Sequence, residues 1–415
     1  MKYLKKKIRY FFVWCVLKLY HAIRCSGILH CIDNNSIDDV QMKRSIKSIL
    51  VIRLDEIGDM VMLSPFLKNL RKWKPDAKIT LVVKPQVVSL FEACPYVDDV
   101  KVFRKCDGRF AYVRNMWQAY RFCQSNLHDE YDLSIAPRWD SDIGYWAGYI
   151  SMFSKAHQRL AYSSCVNELK ADSDAGFDGF YTDVIKVTKS IHEVERSLDL
   201  LRYLGADIEV SGLELWLKND VSTQAVLRKE KAKLDGIIRI ALFLSCGMPK
   251  KEWDVSNYAT VINRLSSVYD LEIVLGGAGN RAEEYAKEFK TYYPSAINLV
   301  GKTSLNETVQ LLKSCDCYLG GDTGPMHMAV ACGIPGVALY LGFFGVSRIA
   351  LDTPERFGPW MSEIVTVQPE KMLPGCDHGC MKNYAHCINT IKVETVYEKM
   401  CKILDDVKSK KTFKC

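Results

Sequence analysis

The sequence predicts an α/β protein built from two doubly wound units, each a parallel sheet wrapped by helices. Three observations predict it. Short apolar, β-branched runs recur in the way that buried parallel strands do. Helical patterns alternate with them, the mark of an α/β architecture. The series also starts twice, near residues 48 and 237, on either side of a polar stretch. A length of 415 residues suits about two domains, and 48% hydrophobic with 25% charged residues is ordinary for a folded chain with a sizeable core.

Taken in order, residues 1–45 read as a basic helix followed by a polar linker. Lys5, Lys6, Lys7 and Arg9 precede an apolar stretch from Tyr10 to Leu17, and Lys18 interrupts it too soon for a bilayer span. Leu4, Ile8, Phe11, Cys15, Leu19 and Ile23 recur at helical spacing. An amphipathic helix with basic flanks can lie on an anionic membrane surface, dock on the protein's own core, or belong to a signal segment. The first unit, 46–218, opens with the strand SILVIRL (48–54) and the loop DEIGD, then a helix to about Lys74 in which Ser64-Pro65 is either a start or a kink. AKITLVVKP (77–85) and YDLSIAP (131–137) are further strands, and IHEVERSLDLLRYLG (191–205) is an amphipathic helix ended by Gly205. Residues 219–236 read as a charged linker. The second unit, 237–400, carries strands at 237–245, 271–279, 315–324 and 334–342, and 401–415 reads as a polar tail.

A net charge of +7 is mild at this length. It suits anionic small ligands or acidic lipid, while the absence of a dense basic stripe with interleaved aromatics argues against nucleic acid. The 16 cysteines are scattered, several within apolar segments (Cys94, Cys123, Cys246, Cys315, Cys317, Cys332), as reduced core thiols are. That composition leans towards a reducing, cytoplasmic compartment.

Three loops carry candidate chemistry, each at the carboxyl end of a strand, where open α/β sheets bind ligands. GGDTGPMHMAVACG (320–333) leaves a strand through Asp322, turns on Gly324, and enters a helix at Pro325. The start of that helix is an anion site, with Asp322 placed to accept from sugar hydroxyls and His327 to donate. Plain capping by Asp322 or Thr323 and a core histidine are the alternatives. RLDEIGDMVMLSP sets Asp59 after the first strand, with Gly58 permitting close approach. A carboxylate there is either a general base or a favourable charge at a helix start. SCGMPKKEW (245–253) brings Lys250 and Lys251 to the mouth of the second unit, as diphosphate ligands or as solvated lysines.

Together these stretches resemble glycosyltransferase family 9, the heptosyltransferase-like enzymes of lipopolysaccharide assembly. The likeness also takes in PYVDDV, HEVERSLDLLRYLG and a late cysteine pattern, Cys376, Cys380 and Cys387 followed by INTIKVETV. The resemblance implies a GT-B fold, two Rossmann-like domains facing a cleft, with acceptor on the first and nucleotide-sugar donor on the second. It implies inverting, metal-independent transfer, typically from ADP-heptose, to a lipid-linked or oligosaccharide acceptor, with no cofactor. Asp59 matches the catalytic base, Lys251 the lysine at the donor phosphates, and Asp322, Thr323, Gly324 and His327 the donor loop. Ser245 and Met326 join the donor set; Gly58 and Arg138 are the acceptor-side candidates, Arg138 equally a salt-bridge residue.

Other readings compete. Asp-Ser-Asp at 140–142 and 172–174 is a metal motif in another glycosyltransferase fold. GAGNRA (277–282) matches a dinucleotide fingerprint. Cys376, Cys380 and Cys387 with His378 and His386 have enough ligands for zinc, at a spacing unlike the common modules. A catalytically silent glycan- or partner-binding module and a different donor sugar are the remaining alternatives. The basic N-terminal helix is the only feature that suggests a place on the inner membrane face.

Overall fold

A computed structural model describes residues 15, 16, 18, 46–106, 111–127, 130–142, 144–174, 176–187, 191–217, 236–342, 353–376, 380 and 382–412. Most of the expected N-terminal helix, the linker after it and the linker 219–236, apart from Gly236, lie outside these residues. Among the described residues no helix is long and apolar enough to cross a membrane.

Among the described residues, twelve strands form two six-stranded parallel sheets. The first contains β1 (Ser48–Ile52), β2 (Lys78–Val83), β3 (Asp99–Val102), β4 (Leu133–Ala136), β5 (Gln158–Tyr162) and β6 (Asp183–Ile185), in the order β3-β2-β1-β4-β5-β6. The second contains β7 (Ile238–Phe243), β8 (Leu271–Leu275), β9 (Ile297–Asn298), β10 (Cys317–Gly321), β11 (Gly336–Leu339) and β12 (Ile364–Val367), in the order β12-β11-β10-β7-β8-β9. The two orders are the same doubly wound topology, and every recorded pairing is parallel. β1, β2, β4 and β7 are apolar over nearly their whole length because helices cover both faces of each sheet.

The helices of the first unit are α1 (Ile57–Met62), α2 (Ser64–Trp73), α3 (Ala111–Asn126), α4 (Trp146–Phe153), α5 (Glu168–Ser173) and α6 (Glu193–Tyr203). Those of the second are α7 (Val255–Ser266), α8 (Asn280–Tyr292), α9 (Leu305–Ser314), α10 (Gly324–Ala331), α11 (Pro354–Phe357) and α12 (Val393–Thr412). Ser64-Pro65 starts α2 directly behind α1, with Leu63 as the joint and the Ser64 hydroxyl donating to the Val61 carbonyl at 2.7 Å. α6 ends before Gly205, whose positive φ closes the helix.

One expectation is corrected here. Residues 401–412, expected as part of a polar tail, are the last turns of α12. Met400, Ile403, Leu404 and Val407 fall on one face at helical spacing and are buried in the second core.

Doubly wound sheets bind ligands where the strand order reverses, at the carboxyl ends of the strands. Those points lie between β1 and β4 in the first sheet and between β7 and β10 in the second. Four loops follow these strands: 53–56, 137–142, 244–251 and 322–323. They carry Arg53, Asp55, Arg138, Ser245, Lys251 and Asp322.

Candidate active site

The two units meet where α1 crosses the start of α10. A Cβ on Gly58 would stand 2.7 Å from the His327 ring, and one on Gly324 would stand 2.8 Å from the Ile57 Cβ. Only two glycines let the helix ends approach so closely. One apolar cluster runs through the crossing, from Met60 and Val61 to Met326, Met328 and Ala329. Met326 is wholly buried, so its side chain backs the donor loop from the core side.

On the first unit, Asp59 occupies the first turn of α1 and keeps about a quarter of its side chain exposed (26%). Burial raises its carboxyl to about pKa 6, against the pull of Arg53, whose Nη2 lies 3.7 Å from Oδ1; Glu193, Asp140 and Glu56 push the same way as burial. Arg53 is itself held by Asp55 at 2.5 Å, and Asp55 also pairs with Arg138. Arg138 is therefore no free surface cation: its Nε donates to the Ser141 carbonyl at 2.9 Å, and burial lowers its pKa.

On the second unit, Lys251 Nζ sits 2.8 Å from Asp322 Oδ2, with both side chains about nine-tenths buried. Thr323 is the N-cap of α10 by position, yet no side chain makes a capping bond there. Asp322 thus serves Lys251 rather than the helix. Pro325 has no N–H and the Met326 amide donates to Thr323 O at 3.0 Å, so the attraction for an anion comes from Lys251 and the helix dipole. His327 is 3% exposed, and burial drives its pKa down to about 3, with His192 and Lys251 adding repulsion. It is a neutral imidazole at ordinary pH, and its Nδ1 has no hydrogen-bond partner. Ser245 lies half-buried just past β7, beside Gly277.

A family model described as glycosyltransferase family 9 (heptosyltransferase) matches residues 157–381, more than half of the chain. The chain belongs to glycosyltransferase family 9. Among similar proteins, lipooligosaccharide heptosyltransferase 2 of Campylobacter jejuni is 25% identical over 359 residues, which is 84% of this chain and 95% of that protein. The lipopolysaccharide core heptosyltransferase OpsX of Haemophilus influenzae is 20% identical over 329 residues, 78% of this chain and 85% of that one. A family 9 glycosyltransferase structure from Veillonella parvula superposes with a TM-score of 0.68 at 20% identity, covering 87% of this chain and 97% of the other. The E. coli ADP-heptose lps heptosyltransferase II gives 0.62 at 19%, covering 86% and 99%. The shared fold is GT-B, two Rossmann-like halves, and this family 9 chain is a glycosyltransferase.

Sequence reading missed a clasp in this glycosyltransferase. Arg356 of α11, 1% exposed, reaches from the second unit to Glu193 Oε1 at 2.9 and 2.6 Å and to Asp140 at 2.8 Å. Arg196 shares Glu193 at 3.0 Å and stacks on Trp139 at 3.8 Å. The neighbouring His192 Nε2 bonds to the Gly358 carbonyl at 2.9 Å, and Trp360 Nε1 donates to Ser211 O at 2.9 Å. Sequence signal existed only in part: HEVER stood out as a likeness, but nothing local tied it to Arg356.

Glu252 was missed as well. Buried beside Lys251, it accepts from the Cys246 amide, Arg281 and the Tyr285 hydroxyl, each at 3.0 Å, which pins the loop after β7. The two Asp-Ser-Asp triplets pack together: the Asp142 amide donates to Asp174 at 2.7 Å, and Asp142 accepts from the Ala147 amide at 2.8 Å. That bonding gives Asp142 and Asp174 a task in holding the loop after β4. GAGNRA forms the turn from β8 into α8, with Gly277 and Gly279 at positive φ.

Proposed function

We propose that the chain is an inverting heptosyltransferase that moves heptose from ADP-heptose to a lipopolysaccharide-type acceptor, with Asp59 as the base. The observation that carries this is the crossing of α1 and α10, which sets the Asp59 loop against the loop of Lys251 and Asp322. The relatives named as lipooligosaccharide and lipopolysaccharide heptosyltransferases support the sugar and the acceptor class, and the solved neighbour named for ADP-heptose supports the donor.

In this reading the acceptor lies against the first unit near Gly58 and Arg138, and Asp59 takes its hydroxyl proton. The freed oxygen attacks the anomeric carbon on the face opposite the nucleotide, and the bond from that carbon to the diphosphate oxygen breaks. Lys251, turning from Asp322 to the phosphates, and the positive end of α10 stabilise the leaving charge. Asp322 accepts from sugar hydroxyls, and the Ser245 and Thr323 hydroxyls donate to phosphate or sugar oxygens. Neutral His327 offers a hydrogen bond without adding charge. No divalent ion is assigned a step, and a rate unchanged by added Mg2+ or Mn2+ is expected.

Asp59→Asn tests the reading. Transfer should fall by about 10²–10⁴-fold, the usual contribution of a positioned base. Donor binding, read by thermal shift with ADP-heptose, should stay near the wild-type value. A variant that keeps most of its rate removes Asp59 from the mechanism, and transfer from another nucleotide sugar in preference to ADP-heptose removes the donor assignment.

The basic N-terminal segment, residues 1–25, is proposed to hold the enzyme on the inner face of the cytoplasmic membrane. Full-length chain should sediment with vesicles containing anionic lipid and lose that binding when residues 1–45 are deleted. Equal sedimentation of both forms would refute it.

A further inference from the structure

Among the described residues, the metal-ligating side chains that converge are Cys376, Cys380, His386 and Cys387, whose donor atoms all lie within 4.8 Å of one another. They belong to the segment between β12 and α12, outside the cleft loops. His378, a candidate from the sequence, lies outside the described residues; His386 takes part.

The sulfur–nitrogen distances fit a tetrahedral site around one ion. With Zn–S near 2.3 Å and Zn–N near 2.0–2.1 Å, a tetrahedral site sets sulfur and nitrogen about 3.6 Å apart. His386 Nδ1 stands 3.8 Å from Cys376 Sγ, 3.8 Å from Cys380 Sγ and 3.3 Å from Cys387 Sγ. All three thiols therefore face the same ring nitrogen at the separation a shared metal imposes. A neutral thiol could donate a hydrogen bond to that nitrogen, but one nitrogen has a single lone pair for three donors.

The surroundings agree. The three cysteines are buried in the second core, and His386 is half-buried. Gly375, at positive φ, turns the chain into the site. The set is closed, four protein ligands and no open position, which is the pattern of a structural rather than a catalytic metal.

We propose that Cys376, Cys380, His386 and Cys387 bind one zinc-type divalent metal ion that ties these four residues into a rigid knuckle. The knuckle continues into the short turn Cys387–Thr390, which packs on the turn Pro249–Lys251, and Asn389 Oδ1 accepts from the Asp254 amide at 3.0 Å. Resting on the donor reading given above, the metal is therefore a positioning element for Lys251.

Metal content of the untagged full chain, measured by inductively coupled plasma mass spectrometry after gel filtration, tests the site. About one zinc per chain is expected, and one iron per chain would support the same four ligands with the other thiolate-seeking metal. Titrating the thiols with a mercurial should release the ion in step with thiol modification. Cys380→Ser should lose the metal; since it could also misfold, His386→Cys is the companion variant, expected to keep the ion in a four-sulfur site. Co2+ exchanged into the wild type should show the ligand-field bands of a tetrahedral thiolate site.

A soluble, folded chain with no stoichiometric metal, or one with two of Cys376, Cys380 and Cys387 joined in a disulfide, would overturn the proposal. Metal loss should also raise the KM for the nucleotide sugar several-fold more than it lowers kcat. A stoichiometric metal whose loss leaves KM unchanged would keep the site and overturn its link to Lys251. Metal content is read without any sugar transfer, so failure of the site and failure of the heptosyltransferase reading are separate results.

Discussion

Asp59 is a carboxylate on which two opposing demands meet. Burial raises it from 3.8 to about 6, helped by Glu193, Asp140 and Glu56, and Arg53 pulls it back. As a base it works only when deprotonated, so kcat/KM should be flat above about pH 7 and fall tenfold per pH unit below about 6. The same shift fixes the sign of its effect on stability. The folded state holds the proton more tightly than the unfolded state, so stability is lost as pH rises between about 4 and 6. At pH 8 the charged side chain costs up to about 2–3 kcal/mol, since one pKa unit is about 1.4 kcal/mol. Asp59→Asn should then melt higher than wild type at pH 8 and match it near pH 4, even as transfer collapses. A variant that melts lower at pH 8 would mean that Asp59 is held by Arg53 more than it is burdened by burial.

At the scale of elements, the crossing of α1 and α10 depends on what two residues lack. The Gly58 Cβ position is filled by the edge of the His327 ring, which is itself buried and cannot swing away. Gly58→Ala should cost about 1–3 kcal/mol as an overpacked contact. It should also cut transfer at least tenfold by pushing the two loops apart. Gly212→Ala, with nothing within 4 Å of the new methyl, is the control and should change neither. The halves of this site differed in how readable they were. Strands such as β1 and β7 announce themselves as apolar runs, and the loops after them can be read as ligand loops from position alone. β9, two residues long, and the edge strands β3 and β6 carry too little apolar pattern to stand out. Asp59, Lys251 and Asp322 stood out because each follows a recognisable strand. Arg53 sits at the end of an apolar run, and Arg356 finds Glu193 across 163 residues, a pairing no local pattern encodes.

The whole molecule is joined by more than the helix crossing. Arg356 brings a buried cation from the second unit onto Glu193 and Asp140 of the first, over the Trp139 ring at 5.0 Å. Removing one partner of such a group leaves charge uncompensated in the interior, so Arg356→Met should destabilise the chain by about 3–5 kcal/mol. Glu193→Gln in the same chain should recover part of that loss, because the two residues share one interaction. The clasp also reaches the chemistry, since Glu193 and Asp140 are among the charges that raise Asp59. Without the Arg356 guanidinium their negative field on Asp59 is less compensated, and the Asp59 proton becomes harder to remove. The acid limb of the pH–rate profile of Arg356→Met should therefore move to higher pH, and adding Glu193→Gln should bring it back. If the limb stays in place while stability falls, Arg356 is a strut between the two sheets and has no electrostatic hold on the base.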